Sequence, residues 1–535
     1  MSAPTNGAPD AGRQPLEGTA LWLGAIVLAF GNLMAILDMN IANVSIPNIA
    51  GGLAVAPNQG TWVITSYSIA EAITVPLTGW LARSYGQVRV FCVAMAAFGV
   101  CSALCGLANS FYLLVFLRVL QGVAGGPMVP LSQTLLLGIF PKHKAAFAGT
   151  VWTLGASIGP VAAPLLGGVL CEELSWPWIF WVNVPLALSC AFLSWRLLQG
   201  RDAPVARQPI DAVGLGLLVL WVGALQILLD RGQELDWFGS PFIVGCALVA
   251  GLGFVAFLIW EVTERQPIVD LTVFRHPGYT MLVVTLCLGQ GAFSASVVLS
   301  PLWMQTALGY TPIRAALAVC FAGAVITGLS PSIQRLMARM DKRLLISFGA
   351  LAMAVSMVWR GQFASNVPFA DIMATHLAFG FGLAFFIIPI FSTILGSLPP
   401  AQVPAGAGMM AFARTMAVAF AASIVTTLWA DGTARGRVAI LDGFRQDRAI
   451  ADAAAAGLSP DQALHAADAV VQSEGVMLAT NHVYLLLAAT LLIAAAVVWL
   501  APRVRPPTTR LVVPPPARLE RDDVMLNRQG YPRRR

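Results

Sequence analysis

Charge is what this chain has least of. Only 11% of its 535 residues are Asp, Glu, Lys or Arg, against about 25% in a soluble domain. Lysine is almost missing, with Lys142, Lys144 and Lys342 alone. The chain is 57% apolar with a mean hydropathy of +0.75, and the deficit of charge runs through most of its length. A soluble globular fold is therefore excluded, and a polytopic membrane protein is expected. The eight cysteines form no CxxC pair and no Cys/His cluster with metal spacing, so no metal centre is indicated. They read as small buried apolar residues. There is no phosphate loop, and no G-x-S-x-G string stands at a strand-to-helix turn as a nucleophile elbow requires, Gly155 to Gly159 lying within an apolar run. That argues against an enzyme, against the usual ATP-driven pump and against any cofactor. The first 20 residues have one basic residue, Arg13, and lack the pattern of a secretory signal.

What the chain does have is apolar runs of about 20 residues, the length that crosses a hydrocarbon core as a helix. Fourteen are predicted: 21–46, 61–81, 90–108, 111–137, 147–171, 178–198, 211–230, 241–261, 279–306, 314–337, 344–362, 370–396, 406–429 and 481–501. Ten-residue alternating strands are absent, which argues against an outer-membrane barrel. With the N-terminus inside, one set of loops receives Arg83, Arg89, Lys142, Lys144, Arg201, Arg207, Arg265, Arg275, Arg339, Lys342 and Arg343, while the loops 47–60, 109–110, 172–177 and 363–369 have no Lys or Arg. The positive-inside rule then places both termini in the cytoplasm. The net charge of +6 is explained by this bias, not by nucleic-acid binding.

The expected fold is all-α. A short N-terminal segment (1–20) precedes a six-helix half (21–198), an inserted two-helix hairpin (211–261) and a second six-helix half (279–501). Such halves pack about a pseudo-two-fold axis with the substrate site between them at mid-depth. The connection 430–480 falls outside by the odd–even count. Within it Ser459-Pro460-Asp461 reads as a helix start, and 464–471 reads as an amphipathic helix. The tail 502–535 is rich in Pro and Arg, ends in Arg533-Arg534-Arg535, and is expected to be disordered.

Charges inside the spans are few, and each is expensive. Asp38 lies in the first span near Asn32, Asn40 and Asn43, at about 2.5–3.5 kcal/mol for a carboxylate in hydrocarbon. Arg118 lies in the fourth, three residues before Gln121. Asp38 is eight residues before Ile46 and Arg118 seven after Phe111. At about 1.5 Å per residue both lie about 10–12 Å below the same end of the bundle. They are predicted partners, either a packing ion pair or part of proton or substrate coupling. Glu71, mid-span in the second helix, has no basic neighbour in sequence. An acid buried without a cation favours its neutral form, which suits a proton carrier. Whether Asp38 or Glu71 carries the proton stays open. In the second half, Gln290, His376 and Arg414 are the polar candidates and Phe293 an aromatic one. With Asn43 and Gln121 they form the predicted substrate-binding set.

Two motifs carry a resemblance. Gly79-Trp80-Leu81-Ala82-Arg83-Ser84-Tyr85-Gly86-Gln87-Val88-Arg89 joins the second and third spans, with glycines for a tight turn and Arg83 where the related signature usually has an acid. The fifth span reads Gly155-Ala156-Ser157-Ile158-Gly159-Pro160-Val161-Ala162-Ala163-Pro164, then Gly167-Gly168. Its small residues allow close helix approach and its prolines weaken the backbone ladder. Together these resemble the fourteen-helix drug:proton antiporter branch of the major facilitator superfamily, the EmrB/QacA type, over residues 16–500. Leu37-Asp38, Ile41-Ala42-Asn43-Val44, Gly60-Thr61-Trp62 and Leu229-Asp230-Arg231-Gly232 look closer to the EmrB side.

The resemblance implies proton-coupled export of hydrophobic or amphipathic small-molecule drugs from a bacterial inner membrane by alternating access. It implies coupling roles for Asp38 and Arg118, and work with a periplasmic adaptor and an outer-membrane channel. The segment 430–480 is the expected adaptor contact. The alternatives are an exporter of one endogenous metabolite, such as a fatty acid or siderophore, and a sensor or assembly subunit that moves nothing.

Overall fold

The computed structural model describes residues 16–502, apart from 56, 61, 142–144, 203–208, 265–266, 311, 338, 400–401 and 444–459. The tail from 503, most of the N-terminal segment, Lys142, Lys144, Arg207, Arg265 and Ser459 lie outside the described residues. Among those described there is no strand.

A helix lies over each of the fourteen predicted segments. The first six are α1 (Gly18–Val44), α2 (Trp62–Tyr85), α3 (Gln87–Gly106), α4 (Phe111–Ile139), α5 (Ala145–Glu173) and α6 (Trp178–Leu198). The inserted pair is α7 (Ala212–Arg231) and α8 (Pro241–Thr263). The last six are α9 (Pro277–Thr306), α10 (Pro312–Met337), α11 (Lys342–Arg360), α12 (Phe369–Gly396), α13 (Val403–Gly443) and α14 (Pro460–Val497). Among the described residues, eleven spans are long and apolar enough to cross a membrane.

Local chemistry sets several helix ends. The side chains of Ser110, Asp211 and Asp341 accept from backbone N–H groups at the starts of α4, α7 and α11, satisfying donors that have no partner inside the helix. Gly126 and Pro127 interrupt α4 between Gly125 and Met128, since proline removes a ladder donor.

The inserted hairpin leans on both halves. The Ser423 hydroxyl of α13 donates to the Leu229 carbonyl of α7 at 2.9 Å. Trp221 of α7 meets Phe412 of α13 edge-on at 5.9 Å, and the Arg231 guanidinium lies 5.5 Å from the Trp62 ring of α2. So α7 spans the seam between α2 and α13, while most of α8 stays exposed to the surroundings.

Between 430 and 480 the structure differs from a looped excursion with its own short helix. Both flanking helices run on: α13 has 41 residues and α14 has 38, about 60 Å each, twice a core of about 30 Å. Alanine-rich sequence lets them continue. Gly436 and Gly475 let them touch, since a Cβ on either would meet the other helix's backbone at 3.2 Å. Arg437 and Asp468 pair across the hairpin. The base is fixed to the second half: Asn481 donates to the Phe363 carbonyl at 2.9 Å, and the Ser365 hydroxyl donates to Glu474.

The opposite end holds the α2–α3 turn, with Arg83 and Arg89. Gly86 turns the chain at φ +94°, a region essentially restricted to glycine at its ψ of 142°. The acid at this turn comes from the segment after α6. Asp202 accepts from the backbone N–H of Val88 at 2.7 Å and of Arg89 at 3.4 Å, and a Cβ at Gly86 would meet its carboxyl carbon at 2.5 Å. Gly86→Ala therefore loses about 1–3 kcal/mol of stability, whereas Gly138→Ala, with nothing within 4 Å, loses none. Thermal unfolding of the two variants in detergent checks this, and equal midpoints would reject the strain argument.

Candidate functional site

Among the described residues, the predicted site residues fall into three groupings inside the bundle, and the densest is built on α1 and α4. Asp38 and Arg118 are both fully buried and form an ion pair, Nη1 to Oδ2 at 2.6 Å. Gln121 bridges them. Its amide nitrogen donates to Asp38 Oδ1 at 3.1 Å, and its oxygen accepts from Arg118 Nη1 at 2.8 Å. Asn183 of α6 donates to the same Oδ1 at 2.8 Å. The Arg118 Nε–H donates to the Val63 carbonyl at 3.0 Å, and the guanidinium lies 4.3 Å from the Tyr67 ring and 5.5 Å from that of Phe180. Hydrogen bonds to the remaining atoms offset the cost of such a desolvated pair; Arg118 Nη2 is without one among the described residues.

The glycines of α5 set where α1 lies. Gly155 faces Ala29, Gly159 faces Ile36 and Gly167 faces Ile41, so the stripe brackets Asp38 along α1. A Cβ at Gly155 would meet the Ala29 carbonyl oxygen at 2.6 Å. The stripe thus packs within the first half. The side chains of Pro160, Pro164, Gly168 and Asn43 lie outside the described ones.

The second grouping lies on the seam between halves. Glu71 is nine residues after Trp62 and Arg414 eleven after Val403, about 13 Å and 16 Å from opposite ends of the bundle. Because α2 packs on α13, the two residues lie at similar depth on neighbouring helices of opposite halves. Among the described residues Glu71 makes no ion pair and no hydrogen bond within contact distance. The Arg414 guanidinium lies 5.8 Å from the ring of Trp152 on α5. Trp152 meets Phe391 of α12 edge-on at 5.4 Å, donates to Ser132 at 3.0 Å, and its carbonyl accepts from Asn32 at 3.0 Å. Closer to the arginine-rich end, α2 and α13 touch backbone to backbone: a Cβ at Gly79 would meet Ala405 Cα at 3.2 Å, and one at Gly408 the Val75 oxygen at 3.5 Å. The two halves touch along this helix pair toward that end.

The third grouping, in the second half, gathers Gln290, Phe293 and His376. Phe293 stacks on Phe379 at 6.1 Å and 10°. The His376 Nδ1–H donates to the Ile372 carbonyl at 2.9 Å, and Gln290 reaches Ser294 at 3.4 Å. So the structure joins Asp38, Arg118 and Gln121, and puts Glu71 and Arg414 at similar depth on the packed helices α2 and α13. It keeps Gln290, Phe293 and His376 apart from both sets.

Sequence reasoning missed Asn183, Tyr67, Asp202 and Arg360. Asn183 and Arg360 are polar residues at the ends of apolar spans, a signal that was there to use. The role of Tyr67 depends on which face of α2 turns toward α4.

Across the chain, the model of the Major Facilitator Superfamily matches residues 28–422. The multidrug export protein EmrB of Escherichia coli is 36% identical over 91% of this chain and 97% of its own length. The fatty acid resistance protein FarB of Neisseria gonorrhoeae is also 36% identical, over 91% and 97%. Among solved structures, the proton:xylose symporter XylE superposes with a TM-score of 0.58 at 14% identity, covering 91% of this chain and 97% of that one, a likeness of fold alone.

Asp38→Asn leaves the Arg118 guanidinium buried without its carboxylate and lowers stability by about 3–5 kcal/mol. The double variant with Arg118→Gln removes both charges and loses less than Asp38→Asn alone. A double-mutant cycle read by denaturation measures the coupling, and additive losses would rule out an interacting pair.

Proposed function

The chain belongs to the major facilitator superfamily, and from that premise we propose that it is a proton-coupled exporter of hydrophobic or amphipathic drugs, working by alternating access. The observation that supports this best is Glu71 on α2, at a depth close to that of Arg414 on the packed helix α13 of the other half, with no hydrogen bond or ion pair to Glu71 among the described residues. The 36% identity to a multidrug export protein supports the drug class.

The arginine-rich end is the cytoplasmic one in this reading, by the positive-inside rule, with both termini on that side of a bacterial inner membrane. The contact between α2 and α13 then marks the cytoplasm-closed state. Ionised Glu71 attracts Arg414 across the seam and favours closure. A proton arriving from outside neutralises Glu71, removes that attraction and lets the cytoplasmic side open. Release of the proton inside, with a drug bound, restores the attraction and the closure. One acid thus links proton entry to drug exit, because both ligands act on the same two-state element. Asp38 and Arg118 lie in a dry cluster within the first half. Their role is to transmit the change through α1 and α4 by altering the bonds to Gln121 and Asn183.

Glu71→Gln is expected to abolish drug transport driven by an imposed pH gradient in inverted vesicles, while drug–drug exchange continues at least at half the normal rate. Wild-type gradient-driven transport by Glu71→Gln would remove Glu71 from the coupling step.

The α13–α14 hairpin is the proposed contact for a periplasmic adaptor that leads to an outer-membrane channel. It stands on the outer side, its base is bonded to the second half, and Val438 and Val470 are exposed on it. Val438→Asp with Val470→Asp should cut co-purification of the adaptor at least fivefold with the thermal midpoint unchanged; undiminished capture would sink the contact.

A further inference from the structure

The second half buries an arginine that has no acid. Arg360 ends α11 and is 1% exposed. Its Nη1 donates to the Ser296 hydroxyl at 2.8 Å and its Nη2 to the Thr375 carbonyl at 3.3 Å. Tyr484, whose ring lies beside the guanidinium, has its hydroxyl 2.8 Å from that of Ser300. The rings of Phe379 and Tyr484 lie 5.2 and 5.7 Å from the guanidinium. All these groups are neutral. Nε has no partner, and among the described residues Arg360 has no ion pair.

The two halves show what is missing. Arg118 stands seven residues after Phe111 and His376 seven after Phe369, at the starts of α4 and α12. Cys105 is eighteen residues into α3 and Arg360 eighteen into α11. Asp38 is twenty residues after the start of α1 and Ser296 nineteen after the start of α9. At matching places, then, each half gathers a buried guanidinium among polar and aromatic groups. The first half supplies a carboxylate from α1, and the second supplies only a hydroxyl from α9. A buried charge without a counter-charge is costly enough to demand one. A carboxylate is the shape a guanidinium fork fits. One turn before Ser296 on α9, Phe293 stacks on Phe379 and provides an apolar wall beside the charge.

We propose that Arg360, with Ser296 and Tyr484, binds the carboxylate of an acidic amphipathic substrate, whose hydrocarbon part lies along Phe293 and Phe379. The substrate as the source of the carboxylate rests on the exporter reading above. The bound carboxylate takes the place that Asp38 fills in the first half. Entry parts the Phe293–Phe379 stack, whose Phe379 ring lies 5.2 Å from the guanidinium.

The test is binding to the purified full chain, read as the shift of its thermal midpoint with octanoate, and with octanol as the uncharged match. Octanoate is expected to raise the midpoint well above octanol. Arg360→Gln should need at least tenfold more octanoate for the same shift, and Arg360→Lys should retain part of the response. If Arg360→Gln does not fold, Ser296→Ala and Tyr484→Phe are expected to weaken octanoate severalfold. An unchanged octanoate response in these variants overturns the site. So does chloride in place of gluconate giving the same Arg360-dependent shift, which would make the ligand a small inorganic anion. Because the readout is binding, a chain that binds octanoate through Arg360 yet moves no drug counts against the exporter reading and not against the site.

Discussion

A charge inside the bundle has no water to fall back on, and that constraint organises this molecule. Asp38 and Arg118 answer it with each other. Their pair draws in Gln121, Asn183, the Val63 carbonyl and the faces of Tyr67 and Phe180, and so ties α1, α2, α4 and α6 at one depth. The glycines of α5 complete the arrangement by letting α1 approach closely on either side of Asp38. The first half is thus rigid where it is most polar, because leaving any one member unpaired is expensive.

The seam between halves follows a different rule. Glu71 and Arg414 share a depth on α2 and α13 without an ion pair among the described residues, and the surfaces nearby meet through Trp152, Phe391 and the bare backbones at Gly79 and Ala405. Aromatic and glycine contacts carry no desolvated charge pair, so they part at lower cost than the Asp38 cluster would. A closure made of packing, with one acid and one arginine at a shared depth above it, is the kind of element whose equilibrium a proton or a drug can bias. The inserted hairpin bears on the same seam. Because α7 is bonded to α13 and packed on α2, any rocking of the halves must be accommodated there.

Much of this was legible in the sequence, and the reasons are specific. Helix spans follow from apolar length alone. The depth match of Asp38 and Arg118 follows from counting residues to the helix ends, which needs no tertiary knowledge. The pairing of Glu71 and Arg414 at one depth was not legible, since their helices are far apart in the chain and only the packing of α2 on α13 makes them neighbours. Asp202 was hidden for a related reason. The α2–α3 turn carries Arg83 where related signatures have an acid, and the acid that serves the turn arrives from after α6. The run-on of α13 and α14 was missed because a count of apolar residues stops at the membrane boundary, while a helix stops only where its backbone is broken or capped.

The repeat also changes how the second half reads. If the halves had diverged freely, a buried guanidinium would have no reason to recur in both. It recurs, but from a different helix: Arg118 on α4 in one half, Arg360 on α11, the counterpart of α3, in the other. His376 stands at the register of Arg118 and Ser296 one place from that of Asp38. A purely structural centre would be expected to keep its own counter-ion or to drop the charge, because a neutral core of equal volume is often at least as stable as a buried ion. Keeping the cation while dropping the anion is stable only with help from neutral acceptors and ring faces, and that is what surrounds Arg360. The first half holds its ion pair permanently, and the second keeps the cation of such a pair with the anion's place taken by a neutral hydroxyl.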